Sequence, residues 1–187
     1  MSPTLIVILV LVVVVALAAG AWFMFRGKSL RHRFGPEYDR LVGDSGKAEA
    51  ERELRERIRR HDELELKDLT PEQRERYIGR WRALQIHFVD QPDEAVREAD
   101  ALTTALAGEI GYPTDNDEER LAVLSVDHPR SMADYREAHA LSTSLHDGGE
   151  ASTEQLRRAM VHYRAIVTRL LGKEAQIDEP TPRSSNA

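Results

Sequence analysis

"TPEQRERYIGRWRALQIHF", Thr70 to Phe88, decides how this chain folds. Thr70 can accept from the amide three residues on, and Gln73 can reach back to the Thr70 amide. Pro71 fits the first helical position, where a missing N–H costs nothing. Tyr77, Trp81, Leu84 and Phe88 then recur at spacings of four, three and four. That is the period of a helix with one buried face, not the two-residue alternation of a half-buried strand.

The same pattern continues outward. Asp90 to Ile110 predicts a helix with Val96, Ala99, Leu102 and Leu106 along one face, stopped by Gly111. Asn116 caps a shorter helix to Ser125, with Glu119 three residues on. Pro129 opens the next helix, with Asp127 as its cap, and that helix reaches about Leu145. "HDGGEAST", His146 to Thr153, reads as a loop, and Ser152 with Gln155 forms a second capping box. Leu156, Ala159, Met160, Tyr163, Ile166 and Leu170 give the broadest apolar face, ended by Gly172. Upstream, "GPEYDRLVG" predicts a short helix with Pro36 in its first turn and Gly43 at its C′ position. Lys47 to Leu66 is a charged helix with a narrow seam of Ala50, Leu54 and Ile58. No stretch sustains period-two alternation, so the fold class is all-α.

A different solvent is written into Leu5 to Phe25, "LIVILVLVVVVALAAGAWFMF", 21 apolar residues without a charge. As a helix it is about 31 Å long, matching the hydrocarbon core of a bilayer. "ALAAGA" before Trp22 suggests a signal-peptide cleavage site, but "MSPT" supplies no basic n-region and the apolar run is long. The expectation is a retained single-pass anchor at 5–25 after a short flank at 1–4. A basic juxtamembrane segment at 26–34, a small multi-helix bundle at 35–172 and a disordered tail at 173–187 follow. Arg26, Lys28, Arg31 and Arg33 flank the run without an acid among them. The positive-inside rule therefore puts the N-terminus outside and the bundle in the cytoplasm, with these four side chains on anionic lipid headgroups.

Charge then limits the partners. Four of the 26 basic residues lie in that cluster, so 22 face 32 acidic residues from Phe34 onward, a net of −10. A domain this acidic is a poor counterion-displacing surface, and nucleic-acid binding is not expected. With no cysteine in the chain, disulfides, thiolate metal sites and thiol nucleophiles are excluded.

Motifs that suggest chemistry are incomplete. "GDSGK", Gly43 to Lys47, resembles a phosphate loop, but its glycines have two residues between them rather than four, and Ala48 replaces the hydroxyl that would hold magnesium. No two of the seven histidines are four apart, and no Glu precedes a His by three, so neither a one-helix nor a carboxylate-bridged metal site is expected. The densest polar cluster is "SVDHPRSMADYREAHALS", Ser125 to Ser142, where Asp127, His128, Tyr135 and His139 are candidate acid–base groups. The competing reading makes Asp127 a helix cap and Tyr135 and His139 part of an interfacial stripe. No cofactor is expected.

"RFGPEYDR" (33–40), "FVDQPDEAVREAD" (88–100), "SVDHP" (125–129) and "MVHYRAI" (160–166) resemble an uncharacterised family of small bacterial, actinobacterial-like proteins. Its members carry one N-terminal membrane segment and a helical domain. The resemblance implies that architecture and no activity, and it supplies no site residues. The expected function is a non-enzymatic, membrane-anchored interaction module that binds a protein partner or a second copy. Two alternatives stand beside it: a helical enzyme or ligand-binding bundle using His128, Tyr135 and His139, and an exported cell-envelope domain released from a signal peptide.

Overall fold

The structure, a computed structural model, describes residues 30–172. The anchor at 5–25, Arg26, Lys28 and the tail at 173–187 lie outside the described residues. Among the described residues the regular structure is all helical, and no helix is long and apolar enough to cross a membrane. After a helical stretch at 30–34 come α1 (Pro36–Ser45), α2 (Lys47–Asp62), α3 (Pro71–Asp90), α4 (Pro92–Ile110), α5 (Asp117–Asp127), α6 (Met132–His146) and α7 (Thr153–Leu171). The chain divides into two compact units, with the boundary between Glu56 and Arg57, inside α2.

In the first unit the glycine-rich loop shrinks to one residue. Gly43 is an ordinary helical residue of α1, not its C′ position, and Asp44 and Ser45 belong to the last turn. Arg40 Nη1 holds Asp44 at 2.8 Å, and the Ser45 hydroxyl donates to Leu41 O. Gly46 makes the break: at φ 80° it adopts a conformation that side chains disfavour, and α2 resumes at Lys47. Two acids are buried here. Glu37 is gripped by Arg40, and Glu51 takes Arg55 at 3.0 Å and the Tyr38 hydroxyl at 3.3 Å.

In the second unit α4 is the central helix. It packs against α3, α6 and α7, while α6 packs on α7 and α5 on α6. The Thr70 capping box forms as expected, with Gln73 N donating to Thr70 Oγ1 at 3.2 Å and Thr70 N to Gln73 Oε1 at 2.8 Å. The Ser152–Gln155 box and the Asn116 cap form too. Tyr77, Trp81 and Leu84 are buried, and Phe88 packs partly against the same core. The antiparallel α3–α4 pair turns on one residue: Pro92 forbids helical geometry at Gln91, which sits at φ −136° and ψ 72°. That is why α4 begins at Pro92 and Asp90 closes α3.

Two expected helix ends move for tertiary reasons. Beyond Asp62 the chain leaves the helix, and Lys67 N donates to Ile110 O at 2.8 Å, tying 63–70 across the end of α4. Pro129 lies in a turn closed by Ser131 N on His128 O at 3.0 Å, so α6 starts at Met132 and Asp127 does not cap it.

Gly111 makes that crossing possible. It ends α4 at φ 116°, and a Cβ there would lie 2.7 Å from Glu65 O, a backbone atom that cannot swing aside. Gly111→Ala should therefore destabilise the domain by about 2 kcal/mol or more, combining left-handed strain with a backbone clash. Chemical denaturation of both proteins checks this.

Candidate functional site

The polar candidates divide between two clusters. In the first, α6 presents Tyr135, His139 and Ser142 at helical spacing toward its neighbours. Asp100 of α4 accepts from the Tyr163 hydroxyl of α7 at 2.9 Å, and its same oxygen lies 2.9 Å from His139 Nδ1. The other imidazole nitrogen faces Asp117 of α5 at 3.3 Å, and Asp117 holds Arg120 Nη2 at 2.6 Å. One line of charge thus runs from Tyr163 through Asp100, His139 and Asp117 to Arg120. The Tyr135 ring packs beside it, with centroids 6.2 Å from His139 and 6.1 Å from Tyr163.

Burial sets the chemistry of this line. Arg120 is 1% exposed, and a guanidinium so placed is tolerable only with charged or polar company. The hydrogen bond to Asp100 raises the His139 pKa above its ordinary 6.5 against the opposing effect of burial, and the charges of Asp100 and Asp117 add to it. Burial would raise Asp117, but Arg120 and His139 outweigh it and hold its pKa low. Burial pushes the Tyr135 hydroxyl up to about 12 and Tyr163 higher still, Asp100 adding to the latter. Neither phenol is a ready base near neutrality. The Tyr135 hydroxyl also faces Arg120, whose charge opposes the rise in the phenol's pKa.

Asp127 and His128 form a second cluster at the end of α5. Asp127 Oδ2 accepts from the Tyr112 hydroxyl at 2.6 Å and lies 2.7 Å from His61 Nε2. Burial would raise Asp127, yet the hydrogen bonds from Tyr112 and His61 keep its pKa below the ordinary value. His128 is half-buried, and desolvation, helped by Arg169 and His61, lowers its pKa despite Asp127. The four residues singled out by sequence therefore do not converge. Their real partners, Asp100, Asp117, Arg120, Tyr163, His61 and Tyr112, lie on other segments. Only Asp117 and Arg120 carried a local signal, as an i,i+3 ion pair.

Among the described residues no group of three or more His, Asp or Glu is placed to hold a metal ion. Of the basic flank, Arg31 and Arg33 are described and exposed, Arg31 3.3 Å from Asp39 and Arg33 over the Phe34 ring. Two surface grooves avoid both polar clusters. One, of about 280 Å³ between α6 and α7, is bordered by His162 and by Glu137 paired to Arg158. The other lies between α3 and α7. The large exposed apolar side chains of the described surface are Val161 at 42%, which lines this groove, and Ile86 at 73% and Val89 at 80% on α3.

Compared with known family models, curated proteins and solved structures, the chain gives no significant match.

Histidine ionisation should leave opposite signatures. The raised pKa of His139 supplies stability that is fully present below 6.5 and is lost as pH rises through its folded value. The lowered pKa of His128 does the reverse: the unfolded chain takes that proton first, and stability falls as pH drops below 6.5. His139→Gln should thus cost most at about pH 5 and progressively less by about pH 9, while His128→Gln should gain relative stability at the acidic end. Denaturation midpoints across that range check both signs.

Proposed function

We propose that the chain is a membrane-anchored, non-enzymatic protein-interaction module. The observation that carries this reading is the pair Ile86 and Val89, large apolar side chains 73% and 80% exposed on one stretch of α3. Two of the candidate acid–base groups, by contrast, are engaged by residues of other segments. His139 is engaged by two carboxylates, Asp127 by Tyr112 and His61, and the two sets occupy separate places in the bundle. Neighbouring exposed apolar residues are what a protein-binding face requires, since burying them against a partner contributes about 25 cal/mol per Å².

The uncharged apolar run at 5–25 supports a single-pass anchor, and the basic residues behind it support a cytoplasmic placement of the helical part. On this reading Arg26, Lys28, Arg31 and Arg33 rest on anionic headgroups, each contributing about 1 kcal/mol near the surface. The resemblance of its segments to small bacterial proteins with one membrane segment and a helical domain supports the same reading.

Crosslinking in native membranes tests the proposal. The unaltered chain should yield a specific protein partner or a crosslinked second copy. Ile86→Glu with Val89→Glu should abolish the product while changing stability by no more than about 0.5 kcal/mol, as expected of exposed sites. A small metabolite co-purifying in place of any protein would overturn the module. A C-terminal reporter active only outside the cytoplasm would overturn the orientation, and a mature N-terminus near Ala21 would replace the anchor with a released, exported domain.

A further inference from the structure

We infer that the α3–α7 groove is a docking site for a short acidic segment of a partner protein that carries a large apolar side chain. The inference rests on the interaction reading above and assigns it a place and a chemistry. Trp81, Phe88 and Met160 form the apolar part of the groove, with Val161, Arg157 and Arg164 on its α7 side. Its volume is about 190 Å³. Sites for drug-sized molecules span roughly 300–1,000 Å³, so this one suits a single anchoring side chain rather than a free metabolite.

Charge chooses the partner. Beyond Phe34 the chain has ten more acidic than basic residues, yet two arginines and no carboxylate line this groove. Arg157 holds Glu154 at 2.7 Å, and a guanidinium with five donors can take a second carboxylate without releasing the first. Farther along the α3 surface lies a third arginine, Arg82, exposed near Ile86. A basic segment would meet these cations with like charge, whereas an acidic one would be drawn in and oriented.

An independent observation points to an occupant. Trp81 is 1% exposed, and its indole Nε1 is buried without a hydrogen-bond acceptor. A buried donor left unpaired costs about 1–3 kcal/mol, so such a group is normally satisfied. Trp81 belongs to the groove lining, and a carbonyl or carboxylate oxygen of a docked segment would supply the acceptor once the segment displaces the side chains that cover the N–H. The apolar side chain of that segment would cover Phe88, Met160 and Val161, extending the exposed surface of Ile86 and Val89 into a continuous contact.

Selection from a phage-displayed library of random peptides, with the full chain in lipid nanodiscs as bait, tests this. Enriched peptides should share a large apolar residue flanked by Asp or Glu. By fluorescence anisotropy, Arg157→Glu with Arg164→Glu should weaken such a peptide at least about tenfold, since charge-assisted contacts are the stronger ones. Val161→Glu should do likewise. Trp81→Phe removes the N–H together with part of the indole, and should weaken binding by about three- to tenfold at a denaturant concentration where the variant remains folded. Circular dichroism of each variant separates lost binding from lost folding. No enrichment, basic consensus peptides, or binding indifferent to the arginine and Val161 variants would overturn the inference. Enrichment only on a chain lacking 173–187 would also overturn it, assigning the groove to the chain's own Ile177, Asp178 and Glu179. Native-membrane crosslinks that survive Arg157→Glu with Arg164→Glu but vanish with Ile86→Glu and Val89→Glu would refute this groove while leaving the interaction module standing.

Discussion

Asp100 sits where three helices meet, and what its carboxylate accepts sets the packing of each. It projects from α4, takes the Tyr163 hydroxyl from α7 and engages His139 of α6. His139 then passes the connection to Asp117, and so to α5 and its buried Arg120. Apolar packing alone would let these helices slide along their ridges with little penalty, because methyl groups interdigitate in more than one register. A line of directional bonds has one register. Moving α6 by a turn would strand His139 and leave Asp100 with a single partner, and each buried group left unpaired costs about 1–3 kcal/mol.

The same geometry also sets how the groups of this polar interior can exchange protons. A catalytic acid or base needs a free coordination position and a pKa near the working pH. Here His139 uses both nitrogens, and burial moves the two phenols away from neutrality. Large apolar side chains are presented outward at Ile86 and Val89.

Much of the helical layout was legible because helices announce themselves locally. The Thr70 and Ser152 capping boxes, the Asn116 cap and the Tyr77–Trp81–Leu84–Phe88 stripe are decided within a few residues, and each stands where periodicity puts it. Features requiring knowledge of a distant neighbour were not legible. Gly43 and Gly46 are equally good helix stops in sequence, and only the backbone shows that Gly46 is the break. Pro129 is a plausible first helical residue, yet the turn from His128 to Ser131 displaces the start to Met132. Tyr163 reads as one more apolar residue on the broadest stripe, and its hydroxyl matters only because Asp100, 63 positions away, is opposite. The cluster from Asp127 to His139 looked like one site because it is continuous in sequence, whereas its members belong to two helices and take partners from elsewhere.

The corner at Gln91 constrains how such a chain can change in length. Only Gln91 separates α3 from α4, so the rotational phase of the two helices is coupled. A residue gained or lost between Leu84 and Ala95 has almost no slack to absorb it. It would turn α4 by about 100° and shift it by about 1.5 Å, carrying Asp100 away from Tyr163 and His139. The stretch at 147–152, between α6 and α7, has no such coupling and can take extra residues at its tip. Insertions and deletions compatible with this architecture should therefore collect in that loop, while the α3–α4 hairpin keeps a fixed length.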